Sequence, residues 1–316
     1  MNKKVIMITI GLLALAAGGY GLKTGLFSPQ PLIQTDQNLR DNNVKIVTSF
    51  YPLADFSKNV GGNLVTVTNI TPAGAEPHDY EPTPQDIVKA YDAQLFVFNG
   101  NGVDTWAEKI QNDLEKKGVT ALKMSDHINS LKNDADNKEN PGYDPHFWLN
   151  PANAAKEAEV IAAALTTIDP AHAAEYQQNS DDYQAKLAGL DQAYQNGLAD
   201  CSYNEIVTSH NAFNYLANRY GLRTFHILGL SPDEEPSPQV IAAVADIARQ
   251  KNIKYIFFES LVSPKLSQTI ANEIGAQTME LNPIEGLTDA EIAQGEDYIG
   301  KMEANLTNLR IALQCR

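Results

Sequence analysis

Asp144-Pro145-His146-Phe147-Trp148-Leu149-Asn150-Pro151 sets one imidazole on a stiff corner of the chain. A proline fixes φ just before the histidine, two aromatics follow it, and Asn150-Pro151 has the N-cap and first-turn chemistry that opens a helix. Alone, a loop histidine of this kind is ordinarily a packed or capping residue. Two further histidines change the reading. His78 lies in Glu76-Pro77-His78-Asp79-Tyr80-Glu81-Pro82, just before another helix start, and His210 in Thr208-Ser209-His210-Asn211 closes an apolar, strand-like run. They stand 68 and 64 residues from His146, so each sits at the end of a different strand or strand-to-helix turn. Three imidazoles converging from such positions make a metal site.

The elements that must bring them together alternate. Val44–Phe50, Val65–Ile70 and Gln94–Asn99 are β-branched or apolar runs that predict strands. Thr83-Pro84 and Asn150-Pro151 open helices, the first carrying Ile87, Val88 and Tyr91 at helical spacing, the second Val160, Ile161, Ala164 and Leu165. Gly100-Asn101-Gly102 lacks the third glycine and the acidic partner of a dinucleotide loop and reads as a turn. The stretch 126–142 has no apolar period and reads as a flexible, exposed loop, with His127 facing solvent. Tyr183, Leu187, Leu190, Tyr194 and Leu198 then mark one long amphipathic helix, a stiff linker. After it the alternation resumes with strands at Glu205–Ser209, Thr224–Leu228, Tyr255–Glu259 and Thr278–Leu281. Ser237-Pro238 and Ser263-Pro264 open the helices between them, and a last helix runs from the Thr288-Asp289-Ala290-Glu291 capping box to Cys315.

This pattern predicts an α/β fold of two lobes with parallel sheets joined by a long rigid helix, and a cleft at the carboxyl ends of the strands. The expected division is a signal peptide or N-terminal anchor over 1–28, a polar tether over 29–43, a first metal-binding lobe over 44–170, the linking helix over 171–200 and a second lobe over 201–316. His78 and His146 come from the first lobe and His210 from the second, so a carboxylate of the second lobe completes four-coordination. Glu285, just past a strand end, is the expected fourth ligand. Glu259, also at a strand end, is the runner-up, with a supporting hydrogen bond to the site as its other role. His172 reads as exposed at the start of the linking helix, and His226 as a packed or hydrogen-bonded core residue within a strand.

The remaining features bound the setting. Lys3 and Lys4 precede an uncharged, mostly apolar run from Val5 to Leu22, which reads as an export signal or, at about 18 residues, as a retained anchor. No cysteine lies near it to take a lipid. Cys201 and Cys315 fit an oxidising, extracytoplasmic compartment as one disulfide, and are too far apart in sequence to suggest a thiolate metal site. A net charge of −15 argues against nucleic acid or an anionic membrane as the main partner.

From Val44 to Cys315 the chain resembles the metal-binding solute receptors of ABC importers, specifically their zinc branch. The stretches that carry the resemblance are Gly74–Thr83, Asp144–Pro151, Thr208–Phe213 and Leu281–Leu287. It implies two Rossmann-like lobes, a rigid linking helix, a monomer that hands metal to membrane permease subunits, and ligands at His78, His146, His210 and Glu285. The chain departs from the branch in its short 126–142 stretch, where many zinc receptors carry a histidine-rich loop. Three imidazoles and a carboxylate suit zinc; a manganese receptor would favour a second carboxylate where His210 stands. A zinc hydrolase needs an open water position, which a fourth protein ligand closes, and no His-Glu-x-x-His motif is present. The expectation is therefore a zinc receptor outside the cytoplasm and not an enzyme.

Overall fold

The computed structural model describes residues 43–132, 142–232 and 236–316. The expected signal or anchor, nearly all of the tether and the middle of the 126–142 stretch lie outside them.

Two four-stranded parallel sheets organise the described chain. The first contains β1 (Val44–Thr48), β2 (Val65–Asn69), β3 (Leu95–Phe98) and β4 (Thr120–Lys123) in the order β2-β1-β3-β4. The second contains β5 (Glu205–Thr208), β6 (Arg223–His226), β7 (Tyr255–Phe258) and β8 (Gln277–Glu280) in the order β6-β5-β7-β8. Parallel neighbours need crossovers, which α1 (Tyr51–Gly61), α2 (Pro84–Tyr91) and α3 (Thr105–Lys116) provide in the first half. In the second, α6 (Asn214–Tyr220), α7 (Pro238–Gln250) and α8 (Lys265–Ile274) do so. Winding reverses direction at β1 and at β5, which places a crevice beyond the carboxyl ends of both sheets.

Helix starts follow local chemistry. Thr83 and Asp86 form a reciprocal capping box on α2, and Ser237 accepts from Val240 N on α7. Asn150 accepts from Ala152 N at the start of α4 (Pro151–Ile168). The long helix is α5 (Ala173–Gly197), 25 residues and about 37 Å. It is bound to both halves. Tyr183 donates to Asp55 on α1 and Asn179 to Val60 O, while Asp191 pairs with Arg219 on α6. Phe50, Phe56, Trp148, Tyr176, Tyr194, Phe213, Phe257 and Tyr298 are buried in one apolar cluster that spans the two sheets and the helix between them. At about 1.5–3 kcal/mol for each large side chain removed from water, this shared core joins the halves.

Several expectations are corrected. The edge strand β4 was not anticipated, because Thr120-Ala121-Leu122-Lys123 is short and has little apolar alternation. The last helix is two helices, α9 (Asp289–Gln294) and α10 (Tyr298–Ala312). Gly295 at φ 77° ends the first, and the Asp297 side chain caps the second by accepting from Gly300 N. Pro264 itself precedes α8, and no side chain caps that helix. The start of the 126–142 stretch is not a free loop, since Ile128 is buried in the core and Leu131 N donates to the Tyr215 hydroxyl. His226 is half-buried at the end of β6 beside Thr208 rather than packed within the core. Cys201 and Cys315 form a disulfide that joins the approach to β5 to the residues after α10.

Candidate metal centre

His78, His146, His210 and Glu285 meet in one cluster, their potential ligand atoms within 4.8 Å of one another. His210 and Glu285 lie two and five residues past the carboxyl ends of β5 and β8, whereas His78 and His146 lie in longer connections, nine residues past β2 and 23 past β4. Glu285 Oε1 lies 3.4 Å from His78 Nε2, 3.3 Å from His146 Nε2 and 3.4 Å from His210 Nε2, and the last two nitrogens are 3.3 Å apart. Four of the six edges of the donor tetrahedron have that length, and a regular tetrahedron of such edges has its centre about 2.0–2.1 Å from each corner, the zinc–nitrogen and zinc–oxygen bond length. The donor atoms are thus spaced for a small divalent cation.

Two of the imidazoles are braced from behind. His146 Nδ1 is 2.8 Å from Asp144 Oδ1, and His210 Nδ1 is 2.7 Å from Glu259 Oε1. A carboxylate can only accept, so a proton stays on Nδ1 and Nε2 is the nitrogen that offers its lone pair to the centre of the cluster once its own proton leaves. Both carboxylates are themselves held. Asp144 accepts from Asn214 Nδ2 and from His146 N, while Glu259 accepts from Ser209 Oγ and His210 N. Asn99 Nδ2 donates to Pro145 O, fixing the corner before His146. Near the third imidazole, Glu76 Oε1 accepts from His78 N.

The electrostatics express the same convergence. Burial lowers the pKa of His78. His146 and His210 are pulled down by burial too, yet are pushed above the ordinary imidazole value by Asp144 with Glu285, and by Glu259 with Glu285. Burial raises Glu285, but the three surrounding imidazoles outweigh it and hold the carboxyl well below its usual range. Burial and the neighbouring Glu285 push Glu76 up to about 10. His78 Nε2 and both oxygens of Glu285 are buried without a hydrogen-bond partner among the described residues. Facing lone pairs of this kind are costly unless a cation lies between them.

All four residues expected to form a site are therefore together, and Glu259 stands behind His210 rather than in the ring of donors. His172 is exposed and paired with Asp169, and His127 is exposed. Sequence reasoning missed Asp144 and Glu76 as supporting carboxylates. The signal was available in the spacing, since each precedes a Pro-His pair and so lies two residues before a candidate ligand.

A family model described as the periplasmic zinc-uptake complex component A, ZnuA, matches residues 46–312. The chain is 38% identical over 285 residues to the zinc-binding lipoprotein AdcA of Streptococcus pneumoniae, covering 87% of this chain and 57% of that protein. It is 36% identical over 283 residues to the high-affinity zinc uptake system protein ZnuA of Bacillus subtilis, covering 87% and 89%. The chain thus spans a little over half the length of AdcA and most of the length of the Bacillus protein. The crystal structure of the Zn(II)-bound ZnuA-like domain of Streptococcus pneumoniae AdcA matches with a TM-score of 0.75 and 38% identity, covering 86% of this chain and 99% of that one.

Proposed function

The chain belongs to the zinc-uptake component A family, and from that premise we propose that it captures zinc outside the cytoplasm and delivers it to the permease of an ABC importer. Zinc is cargo here. The observation that carries the reading is one carboxylate oxygen 3.3–3.4 Å from three imidazole nitrogens, a set of four donors that matches the coordination number of zinc. In this reading His78, His146, His210 and Glu285 are the ligands, and 44–170 and 201–316 act as two lobes about the linking segment 171–200. Asp144 and Glu259 set the tautomers of two ligands, which raises their basicity toward the metal. Three imidazoles and one oxygen favour zinc over manganese, which prefers a larger share of carboxylate and carbonyl oxygen. Export from the cytoplasm, by a signal that is cleaved or retained as an anchor, agrees with the disulfide between Cys201 and Cys315.

Elemental analysis of protein purified without added metal, followed by competition between zinc and manganese, tests this. One zinc per chain is expected, held more tightly than manganese, with binding sharply weakened by His210→Ala. Tighter binding of manganese, or zinc held undiminished by the His210→Ala protein, would overturn the assignment.

A further inference from the structure

Glu285 is held differently from the histidines around it. His146 and His210 have a carboxylate on the ring nitrogen that faces away from the cluster, whereas the Glu285 carboxylate meets only the three imidazole nitrogens of the cluster itself among the described residues. Its direction must therefore come from the backbone that carries it. In the three residues before it, side chains hold most of that backbone's polar groups. Asn305, on α10, accepts from Asn282 N through Oδ1 (2.8 Å) and donates to Asn282 O through Nδ2 (2.7 Å). Trp148 Nε1 donates to Pro283 O (2.8 Å), and Asn282 Oδ1 accepts from Ile284 N (2.7 Å). Asn282 Nδ2 in turn donates to Ser260 Oγ.

These contacts hold an unfavourable conformation. Ile284 adopts φ 59°, a left-handed backbone that a β-branched residue almost never takes, and it is fully buried. Such a residue persists only where its surroundings over-determine it. Asn282 and Asn305 are each 2% exposed, so water cannot replace either partner readily.

We propose that Asn305, together with Trp148, is the positioning device for Glu285. It fixes a strained Asn282-Pro283-Ile284 turn so that an otherwise unsupported carboxylate stands at the fourth corner of the metal site. This deepens the zinc-receptor reading and rests on Glu285 being a ligand.

The experiment compares zinc affinity, by chelator competition, and the visible spectrum of the cobalt(II)-loaded protein for the parent, Asn305→Ala, Trp148→Phe and Glu285→Ala. Urea unfolding of the metal-free proteins accompanies it. Loss of the clamp is expected to weaken zinc by roughly 10- to 100-fold, the range seen when groups that orient metal ligands are removed. The cobalt bands should move toward those of Glu285→Ala. In a Glu285→Ala background, Asn305→Ala should cost no further zinc affinity while still lowering urea resistance. A purely structural residue would move affinity by the same factor in both backgrounds, and that result overturns the proposal, as does an unchanged cobalt spectrum in the single variants. Trp148→Phe keeps an aromatic ring at that position while removing the donor to Pro283 and part of the buried indole, so it carries the test where Asn305→Ala fails to fold, its urea resistance reporting the packing loss separately. If Glu285→Ala binds zinc as tightly as the parent, the proposal fails together with the ligand assignment beneath it, whereas a loss there with no loss at Asn305 and Trp148 overturns the positioning role alone.

Discussion

His210 stands two residues beyond the end of β5 at Thr208, whereas His78 is reached nine residues beyond the end of β2 at Asn69. The first is fully buried, with Glu259 against both its ring and its main-chain nitrogen. The second retains slight side-chain exposure, and its nearest ion-pair contact is the carboxylate of another ligand. Its loop is moored to the opposite half where Gly74 N donates to Leu287 O and where Ala75 O approaches Gly286. A ligand at a strand end inherits the rigidity of the sheet and a place for a bracing carboxylate. A ligand on a long loop takes its position from the partners it meets.

The largest expected effect separates the two directly. Replacing either histidine by alanine should weaken zinc by roughly 100-fold or more, since about 10–16 kcal/mol of binding shared among four ligands is near 3 kcal/mol each. The metal-free proteins should differ. His210→Ala removes the ring partner of buried Glu259 and should lower unfolding stability by about 1–3 kcal/mol, while His78→Ala should leave it nearly unchanged. Denaturant titration of both apo-proteins checks the difference, and equal losses would erase the distinction between braced and unbraced ligands.

A smaller effect comes from the brace itself. In Glu259→Gln the amide can offer a donor to His210 Nδ1, favouring the tautomer whose proton blocks Nε2. Zinc affinity should fall by roughly 10- to 100-fold with the fold intact by circular dichroism. An affinity within twofold of the parent would show that the brace does not set the tautomer.

The mildest perturbation is acid. His210 and His146 are held above the ordinary imidazole pKa in the metal-free site, so a proton must leave before zinc binds. Affinity should therefore rise with pH, by about tenfold per unit for each proton released, and its decline on acidification should begin above the ordinary value near 6.5. The apo-protein shows the opposite sign. A raised folded pKa contributes stability that is fully present below about 6.5 and is lost as pH rises through the folded value. Because His78 is lowered instead, His78→Ala should keep most of the pH dependence that His210→Ala loses. Isothermal titration in two buffers of different ionisation enthalpy measures the proton release.

Much of this was legible because the responsible chemistry is local. Thr83-Pro84, Asn150-Pro151 and Ser237-Pro238 cap helices by hydrogen bonds within three residues, so type and spacing suffice to place those starts. The break at Gly295 and Asp297 is equally local, a glycine that ends one helix followed two residues later by an aspartate that caps the next. The strand β4 was not legible, since an edge strand gains its pairing from β3 and needs little apolar pattern of its own. The strain at Ile284 left no trace in residue type, because isoleucine is among the least suited residues for a positive φ.

By itself the sequence determined the kind of chemistry and the points where it could occur, because histidines beside prolines and strand ends are specified by residue type and short spacing. It did not decide which acid faces the imidazole nitrogens. Glu259 and Glu285 both follow strands of the second half, and nothing local distinguishes them. Sheet order does: β7 lies between β5 and β8, so Glu259, one residue past β7, rises beside β5 and meets the back of the His210 ring. Glu285, five residues past β8, has enough chain to reach over the sheet edge into the centre, where α10 and Trp148 hold its turn. That choice is made by non-local packing, in which distance through space is set by strand order and not by separation along the chain.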